Sequence, residues 1–104
     1  MQFPSKAQFG EAVGSAFEIA FDQGAPVVLT LDELEDKGHL DSGALEHFTL
    51  FFSGPADQLL EQAAYHLAHP ELGTHFIFLV PIDAHNGRAV YQAVFSLSHE
   101  TQAS

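Results

Sequence analysis

Residues 76–97 read FIFLVPIDAHNGRAVYQAVFSL, which is two apolar runs on either side of Asn86-Gly87. Asn-Gly between two such runs is the strongest short-range signal for a β-hairpin with a two-residue loop. We therefore predict a hairpin that turns at Asn86-Gly87. Because Pro81 has no backbone N–H to donate to a ladder, we expect it to face a sheet edge or a bulge.

A two-residue loop also determines which residues lie opposite each other in the hairpin. On one face it pairs apolar residues throughout, namely Phe76 with Leu97, Phe78 with Phe95, Val80 with Ala93 and Ile82 with Tyr91. We expect this face to join the core. The apolar residues left for the opposite face are Ile77, Leu79, Val90 and Val94.

Three segments nearer the N-terminus also have strand patterns. Phe17, Ile19 and Phe21 alternate with other residues, which indicates a strand with one wet face. Residues 27–31 are apolar and rich in β-branched side chains, and residues 48–52 are aromatic and uncharged. Each of the three is therefore predicted to be a strand.

The most polar part of the chain, residues 32–46, carries the loop signals Lys37-Gly38 and Ser42-Gly43 and is predicted to be a long loop. It does not divide the chain, because neither half has enough apolar residues for its own core. We therefore expect one domain over residues 1–104, with a helical segment at 1–16 and a β domain at 17–98. The helix is predicted because Ser5 and Gln8 fit a capping box.

Residues 56–69 carry two patterns at once. A helical stripe is flanked by Pro55 and Pro70, where a helix would begin and end; its members are Leu59, Leu60, Ala63, Ala64 and Leu67. Against this, Tyr65, Leu67 and His69 alternate as in a strand. Periodicity alone favours a helix here and leaves a strand as the alternative.

The composition excludes several classes of function. The chain has 14 acidic and 3 basic residues among 104, for a formal net charge of −11. Nucleic acids and anionic membranes both attract basic surfaces, so neither partner is expected. The absence of cysteine excludes disulfides, thiolate metal sites and cysteine nucleophiles. No signal peptide or membrane-spanning segment is recognisable, so we expect a cytoplasmic protein.

The sequence carries no clear pattern for catalysis or metal binding. His66 and His69 would share a face, and could bind one metal, only if they lay on a helix. The acidic residues 32–36 lack the spacing of an EF-hand loop. There is no Gly-x-Ser-x-Gly turn to expose a nucleophile. We predict no catalytic residue, no cofactor and no metal ligand, and a protein that is not an enzyme.

Four blocks of the chain follow one known pattern in the right order, EHFTLFFSGP at 46–55, LEQAAYHLAHPELG at 60–73, FIFLVPI at 76–82 and YQAVF at 91–95. They resemble a family of small bacterial proteins catalogued as a domain of unknown function. The resemblance implies a strand at 63–69 and at most one helical turn at 56–62. It also implies a structural, capping role for His69. The family's association with phage-tail-collar-like fibre components implies assembly and not catalysis.

Together these observations predict an all-β domain of six antiparallel strands, in a small sandwich or partly open barrel with a short N-terminal helix. Its function is predicted to be assembly or interaction through a sheet edge or an apolar hairpin face, with another protein or with itself as a homo-oligomer. The interaction residues would be Phe51, Ile77, Leu79, Val90 and Val94. Turns and corners would be formed by Gly54, Pro55, His69, Pro70, Gly73, Asn86 and Gly87.

Two other functions remain as alternatives at this point. One is a small-ligand module with an apolar cavity, whose lining residues would be Phe48, Phe52, Phe78, Tyr91 and Phe95. The other is a histidine-dependent metal protein or hydrolase.

Overall fold

The computed structural model describes residues 4–21, 24–40 and 45–98. These residues form one α-helix, one 3-10 turn and six antiparallel strands, which confirms the predicted all-β fold with a short N-terminal helix. The elements are α1 Lys6–Glu11, β1 Ala16–Ile19, β2 Val27–Leu40, β3 Leu45–Pro55, the 3-10 turn Ala56–Gln58, β4 Ala63–His69, β5 Gly73–His85 and β6 Arg88–Ser98. No helix in this part of the chain is long and apolar enough to cross a membrane.

The six strands form a single sheet that closes on itself as a barrel in the order β1-β2-β3-β6-β5-β4. Its longest uninterrupted ladder joins β3 to β6, from Leu45↔Ser98 to Pro55↔Arg88. The closure between β1 and β4 is much narrower, since Glu18↔Ala68 is its one recorded pair in the described residues. The sequence predicts either a sandwich or a partly open barrel. The structure is a barrel, and its β1–β4 closure is narrow.

The N-terminal helix begins where the capping box predicts. Ser5 Oγ accepts the Gln8 backbone N–H at 3.1 Å, and Gln8 Oε1 accepts the Ser5 N–H at 2.8 Å. The helix carries Phe9 into the core, where its ring lies 5.3 Å from Phe95 and 6.0 Å from Phe48. The helix therefore covers the part of the core where these rings meet.

The prediction of a long loop over residues 32–46 is wrong for the described part of that stretch. β2 continues to Leu40 and pairs with β3, while residues 41–44 lie outside the described residues. β2 accommodates charged residues because one of its faces is exposed to solvent. Glu33 and Glu35 lie on that face, whereas Leu34 packs against the core. The Lys37-Gly38 signal marks a register shift, with Gly38 at φ +88° and its N–H bound to Asp36 Oδ1.

Residues 63–69 form a strand, as the family resemblance implied, and the helix that periodicity favours is absent there. β4 pairs with β5 along its whole length, from Ala63↔Leu79 to His69↔Gly73. Only Ala56–Gln58 makes a helical turn. The alternating pattern is therefore decisive, because Leu67 and His69 point inward while His66 is exposed.

The β5–β6 hairpin turns at Asn86-Gly87, with φ +53° and +77°, as a type I′ turn requires. The predicted register holds from His85↔Arg88 to Asp83↔Val90. It then shifts, because a bulge at Ile82 makes Pro81 pair with Tyr91 and Val80 with Gln92. The four apolar pairs expected from Phe76 to Ile82 are therefore wrong, and the bulge lies beside the residue that has no N–H to donate.

The bulge determines which side of β5 faces inward. Ile77 and Leu79 are buried together with Tyr91, Ala93 and Phe95 of β6, while Phe76 and Phe78 point outward. Buried Tyr91 also accepts the Leu60 backbone N–H at its hydroxyl oxygen, at 2.9 Å. The core thus contains apolar residues from both β5 and β6. The β5 residues in it differ from those that a hairpin without a bulge would bury.

The predicted turn and corner residues lie at strand ends. Gly54 and Pro55 end β3, and a Cβ on Gly54 would come within 2.5 Å of Leu29 Cδ2, so no larger residue fits there without a shift. Pro70 follows β4, and Gly73 opens β5 at φ +85°.

Candidate functional site

The five predicted interaction residues do not share one surface. Ile77 and Leu79 are buried in the core, so the prediction that they face outward is wrong. The cause is the bulge at Ile82, which shifts β5 by one residue relative to β6. Val94 is exposed, and Phe51 and Val90 are half-buried.

Two exposed phenylalanines, which the sequence-based prediction assigned to the core, occupy the outward positions of β5. Phe76 is 55% exposed and Phe78 is 51% exposed, while Val94 on β6 is 57% exposed. We define the Phe face as five outward apolar residues of the three adjacent strands β3, β6 and β5, namely Phe51, Phe76, Phe78, Val80 and Val94. Pro81 was the signal that could have located this face, since a bulge at that point exchanges the two sides of β5.

The Phe face extends over three strands of the sheet. Phe51 of β3 lies opposite Gln92 of β6, which lies opposite Val80 of β5. Two residues further along β5 and β6, on the same side of the sheet, are Phe78 and Val94. His66 of β4 extends the surface, because its ring lies 4.5 Å from the ring of Phe76.

Carboxylates border the Phe face. Glu33 lies opposite Phe51 in the β2–β3 ladder, and Glu35 lies opposite Thr49, which in turn lies opposite Val94. At the turn end of the hairpin, Asp83 lies opposite Val90. The face therefore combines exposed aromatic and aliphatic side chains with acidic neighbours.

All three basic side chains of the chain are already paired with its own carboxylates. Lys6 Nζ lies 2.9 Å from Asp36, Lys37 Nζ lies 2.9 Å from Glu35, and an Arg88 guanidinium nitrogen lies 3.4 Å from Asp32. Glu33, by contrast, has no ion-pair partner in the described part of the chain. Of the three border carboxylates, Glu35 is thus paired with Lys37 and Asp83 lies 2.9 Å from His85 Nδ1, which leaves Glu33 as the one that no cationic side chain of the described residues contacts.

A second feature is the buried corner at His69. The backbone N–H groups of Glu71 and Leu72 donate to His69 Nδ1 at 3.0 and 3.2 Å. Since Nδ1 accepts, the neutral ring carries its proton on Nε2, which lies 2.8 Å from Ser15 Oγ. His69 thereby joins the β4–β5 turn to the segment between α1 and β1.

The hydrogen bond between Ser15 and His69 runs in the wrong direction for a nucleophile and its general base. A catalytic histidine must take the hydroxyl proton, so its nitrogen must accept from the serine. Here the Ser15 hydroxyl donates to the Ala12 carbonyl, and His69 Nε2–H donates to Ser15 Oγ. No carboxylate orients Nδ1, because two backbone N–H groups occupy it. The arrangement is that of a structural corner.

Replacing His69 with alanine is expected to destabilise the fold. The change removes the acceptor of two backbone donors and a ring 4.7 Å from that of Phe17. Because the donors are only part-buried, water can replace part of the lost hydrogen bonding, and each costs less than a fully buried donor would. The free energy of unfolding, measured by urea denaturation, should fall by about 1–3 kcal/mol. His66→Ala, on the exposed side of the same strand, is the control, and an equal loss in the two variants would contradict the proposed role of the corner.

An open cleft of about 470 Å³ lies beside the narrow β1–β4 closure. It is lined by Ala16, Phe17, Glu18, Val28, Ala68, His69 and Pro70. Both ring nitrogens of His69 are engaged in hydrogen bonds, so the charged group that the lining offers is the carboxylate of Glu18. A single acid in an open apolar cleft gives no arrangement for acid–base chemistry.

Beyond this closure, the ring of Phe21 meets that of Tyr65 edge-to-face at 6.3 Å. The Tyr65 hydroxyl donates to the Glu61 carbonyl at 2.7 Å. Burial, followed by the nearby charge of Glu61, raises the pKa of Tyr65 above its ordinary value. Tyr65 therefore stays protonated and keeps its hydrogen bond at neutral pH.

The histidines do not form a metal site in the described residues. His66 and His69 lie on opposite sides of β4, because residues three apart on a strand point to opposite faces. No three histidine, aspartate or glutamate side chains come together there as a metal site would require. A metal centre at His66 and His69 is therefore not supported by the geometry.

The residues proposed to line a ligand cavity are divided between the core and the surface. Phe48 and Phe95 stack on each other with ring centres 5.1 Å apart, and Phe52 meets Phe17 edge-to-face at 5.3 Å. Phe78 lies outside, on the Phe face. These rings therefore pack against neighbours in place of lining a common cavity.

Comparison with known proteins identifies a family. A family model described as a domain of unknown function (DUF6916) matches residues 4–95. No curated protein and no solved structure matches the chain.

Proposed function

The chain belongs to the DUF6916 family, whose function is unknown, and from that premise we propose that it is a non-enzymatic interaction protein that binds a protein partner through the Phe face. One observation carries the proposal: Phe76, Phe78 and Val94 are each more than half exposed on one side of the sheet. Contiguous exposed apolar surface on a protein of this size marks an interaction site far more often than a scattered residue does.

The non-catalytic part of the proposal is supported by the hydrogen bonds of the Ser15–His69 pair described above. Ser15 donates its proton to a backbone carbonyl, and the histidine beside it has no free basic nitrogen. A residue cannot serve as a general base when its lone pair is already used by backbone donors. Binding without chemistry is thus the function that the described side chains support best.

The face also has the composition of an interaction surface. Aromatic residues are enriched at the centres of interfaces because they bury a large area for little conformational entropy. Here Phe51 is held in the β3–β6 ladder, and Phe76 and Phe78 are held in the β4–β5 ladder, so binding requires little further ordering of the backbone. A rigid surface of this kind suits a subunit or accessory of a cytoplasmic assembly.

The proposal is tested by placing a photoreactive phenylalanine analogue at position 78 of the full chain in the cells that naturally make it. Irradiation should give covalent adducts between this position and a protein partner. The matched control carries the same analogue at Val28, which is 47% exposed on β2. Adducts at position 78 and not at 28 support the proposal; no adducts at 78, or equal adducts at both positions, overturn it.

A further inference from the structure

His69 joins the two sides of the narrow β1–β4 closure. Its Nε2 lies 2.8 Å from Oγ of Ser15, the residue just before β1, and its ring lies 4.7 Å from that of Phe17 in β1. The recorded backbone pair of the closure, Glu18↔Ala68, lies beside these two contacts. A single buried histidine at the end of β4 therefore supplies two of the contacts that hold β4 against β1.

The hydrogen bonds of His69 require a neutral ring. Its Nδ1 accepts the backbone N–H groups of Glu71 and Leu72 at 3.0 and 3.2 Å, and an imidazole nitrogen that carries a proton cannot accept. A protonated ring would point an N–H group at these two N–H donors. Protonation of His69 therefore requires that the ring moves, or that the turn after β4 moves away from it.

The other titratable groups around this corner do not remove the conflict. Glu18 of β1 lines the same cleft as His69, and Glu71 belongs to the turn itself. Both carboxylates attract a cationic ring, but two N–H groups occupy the nitrogen that would take the proton. His75 of β5 donates from Nε2 to the Leu72 carbonyl at 2.7 Å, and a protonated ring keeps that donor. Among these groups, His69 is thus the one whose protonation breaks hydrogen bonds of the corner.

We infer that the His69 corner makes the β1–β4 closure acid-sensitive, so that proton uptake by this side chain releases β4 from β1. The open form binds one proton more than the closed form, and a lower pH therefore shifts the balance toward the open form. Release uncovers Phe17, which is 1% exposed and lines the cleft of about 470 Å³ beside the closure. The inference is independent of the proposed function, because none of these residues belongs to the Phe face.

Amide hydrogen exchange of the full chain measures the opening. The quantity is the protection factor of the Glu71 and Leu72 amides, which compares their exchange rate with that of an unstructured chain at the same pH. An imidazole in water takes up its proton at about pH 6.5, so this factor should fall about tenfold from about pH 7.5 to about pH 5.5. A protection factor that stays constant over this range would overturn the inference.

His69→Asn is the matched variant. An asparagine side-chain oxygen also accepts the backbone N–H group two residues further on, but it takes up no proton in this pH range. We expect the variant to keep protection at Glu71 and to lose the pH dependence, whereas His66→Asn, on the exposed side of β4, keeps the tenfold fall. An equal fall in His69→Asn would assign the effect to another group, such as His75, and would overturn the inference.

The ring nitrogens of the unmodified protein give a second test that needs no variant. At about pH 7.5, nitrogen NMR should show a neutral His69 ring with its proton on Nε2. As the pH falls, proton uptake by His69 should coincide with a change in the Phe17 side-chain signals, whereas proton uptake by His66 should leave them unchanged. A His69 ring that takes up its proton while the Glu71 and Leu72 amide signals stay in place would overturn the inference.

Discussion

Replacing Leu79 with aspartate is expected to unfold the protein, whereas the same replacement at Phe78 leaves it folded. Leu79 is fully buried, and Phe78 is half exposed on the next position of the same strand. An isolated carboxylate in an apolar core must either lose its hydration or take up a proton, and both cost more than a domain's usual stability margin allows. At Phe78 the carboxylate stays in water, and the loss is limited to strand propensity and packing, about 1 kcal/mol.

Circular dichroism with urea denaturation measures both variants. We expect Phe78→Asp to give a cooperative transition and Leu79→Asp to lack one in the absence of denaturant. The opposite result would mean that Phe78 lies inside, as in the hairpin register without a bulge. The pair of variants therefore discriminates directly between the two registers of β5.

Replacing Phe9 with alanine should remove about 3–5 kcal/mol from the free energy of unfolding. Phe9 is the one residue of α1 that is fully buried, and its ring contacts both Phe48 and Phe95. Truncation leaves a void beside two stacked rings that are held in the β3–β6 ladder and cannot collapse into it. A loss of this size approaches the whole stability of a small domain.

The matched control for Phe9→Ala is Val13→Ala, which truncates an exposed apolar residue just after the same helix. Its effect should stay within about 0.5 kcal/mol, as for surface substitutions in general. Equal urea midpoints for the two variants would contradict the role of α1 as a cover of the core. If Phe9→Ala proves too unstable to purify, Phe9→Leu should show a smaller loss of the same sign.

The features that the sequence predicts correctly are those with local causes. The Ser5–Gln8 capping box and the Asn86-Gly87 turn each depend on a few neighbouring residues, and both lie where the pattern places them. Five of the six strands could likewise be expected from alternation, β-branched residues and the hairpin signal. The strand at 63–69 is different, because periodicity favours a helix there and only the resemblance to a known family corrects it.

The features that the sequence does not predict depend on single-residue shifts in pairing. One extra residue at Ile82 exchanges the two sides of β5, which moves Phe76 and Phe78 outward and Ile77 and Leu79 inward. Pro81 signals that a bulge is possible but not which residue it displaces. The polar residues of β2 are also missed by sequence-based prediction, because a run of charged residues is typical of a loop. Their strand conformation depends on pairing with β3, which is distant from the local pattern.

The narrow closure of the barrel has a consequence for the order in which the chain folds. β2 with β3, β4 with β5, and β5 with β6 are hairpin partners close in sequence, and their pairing costs little loop-closure entropy. β1 and β4 are far apart in sequence, yet their recorded pairing amounts to Glu18↔Ala68. The β3–β6 ladder joins segments that are about as far apart in sequence, but it offsets that entropy with a long run of pairs, whereas the β1–β4 closure does not. The ring therefore closes last during folding, and it opens there first when the native protein fluctuates.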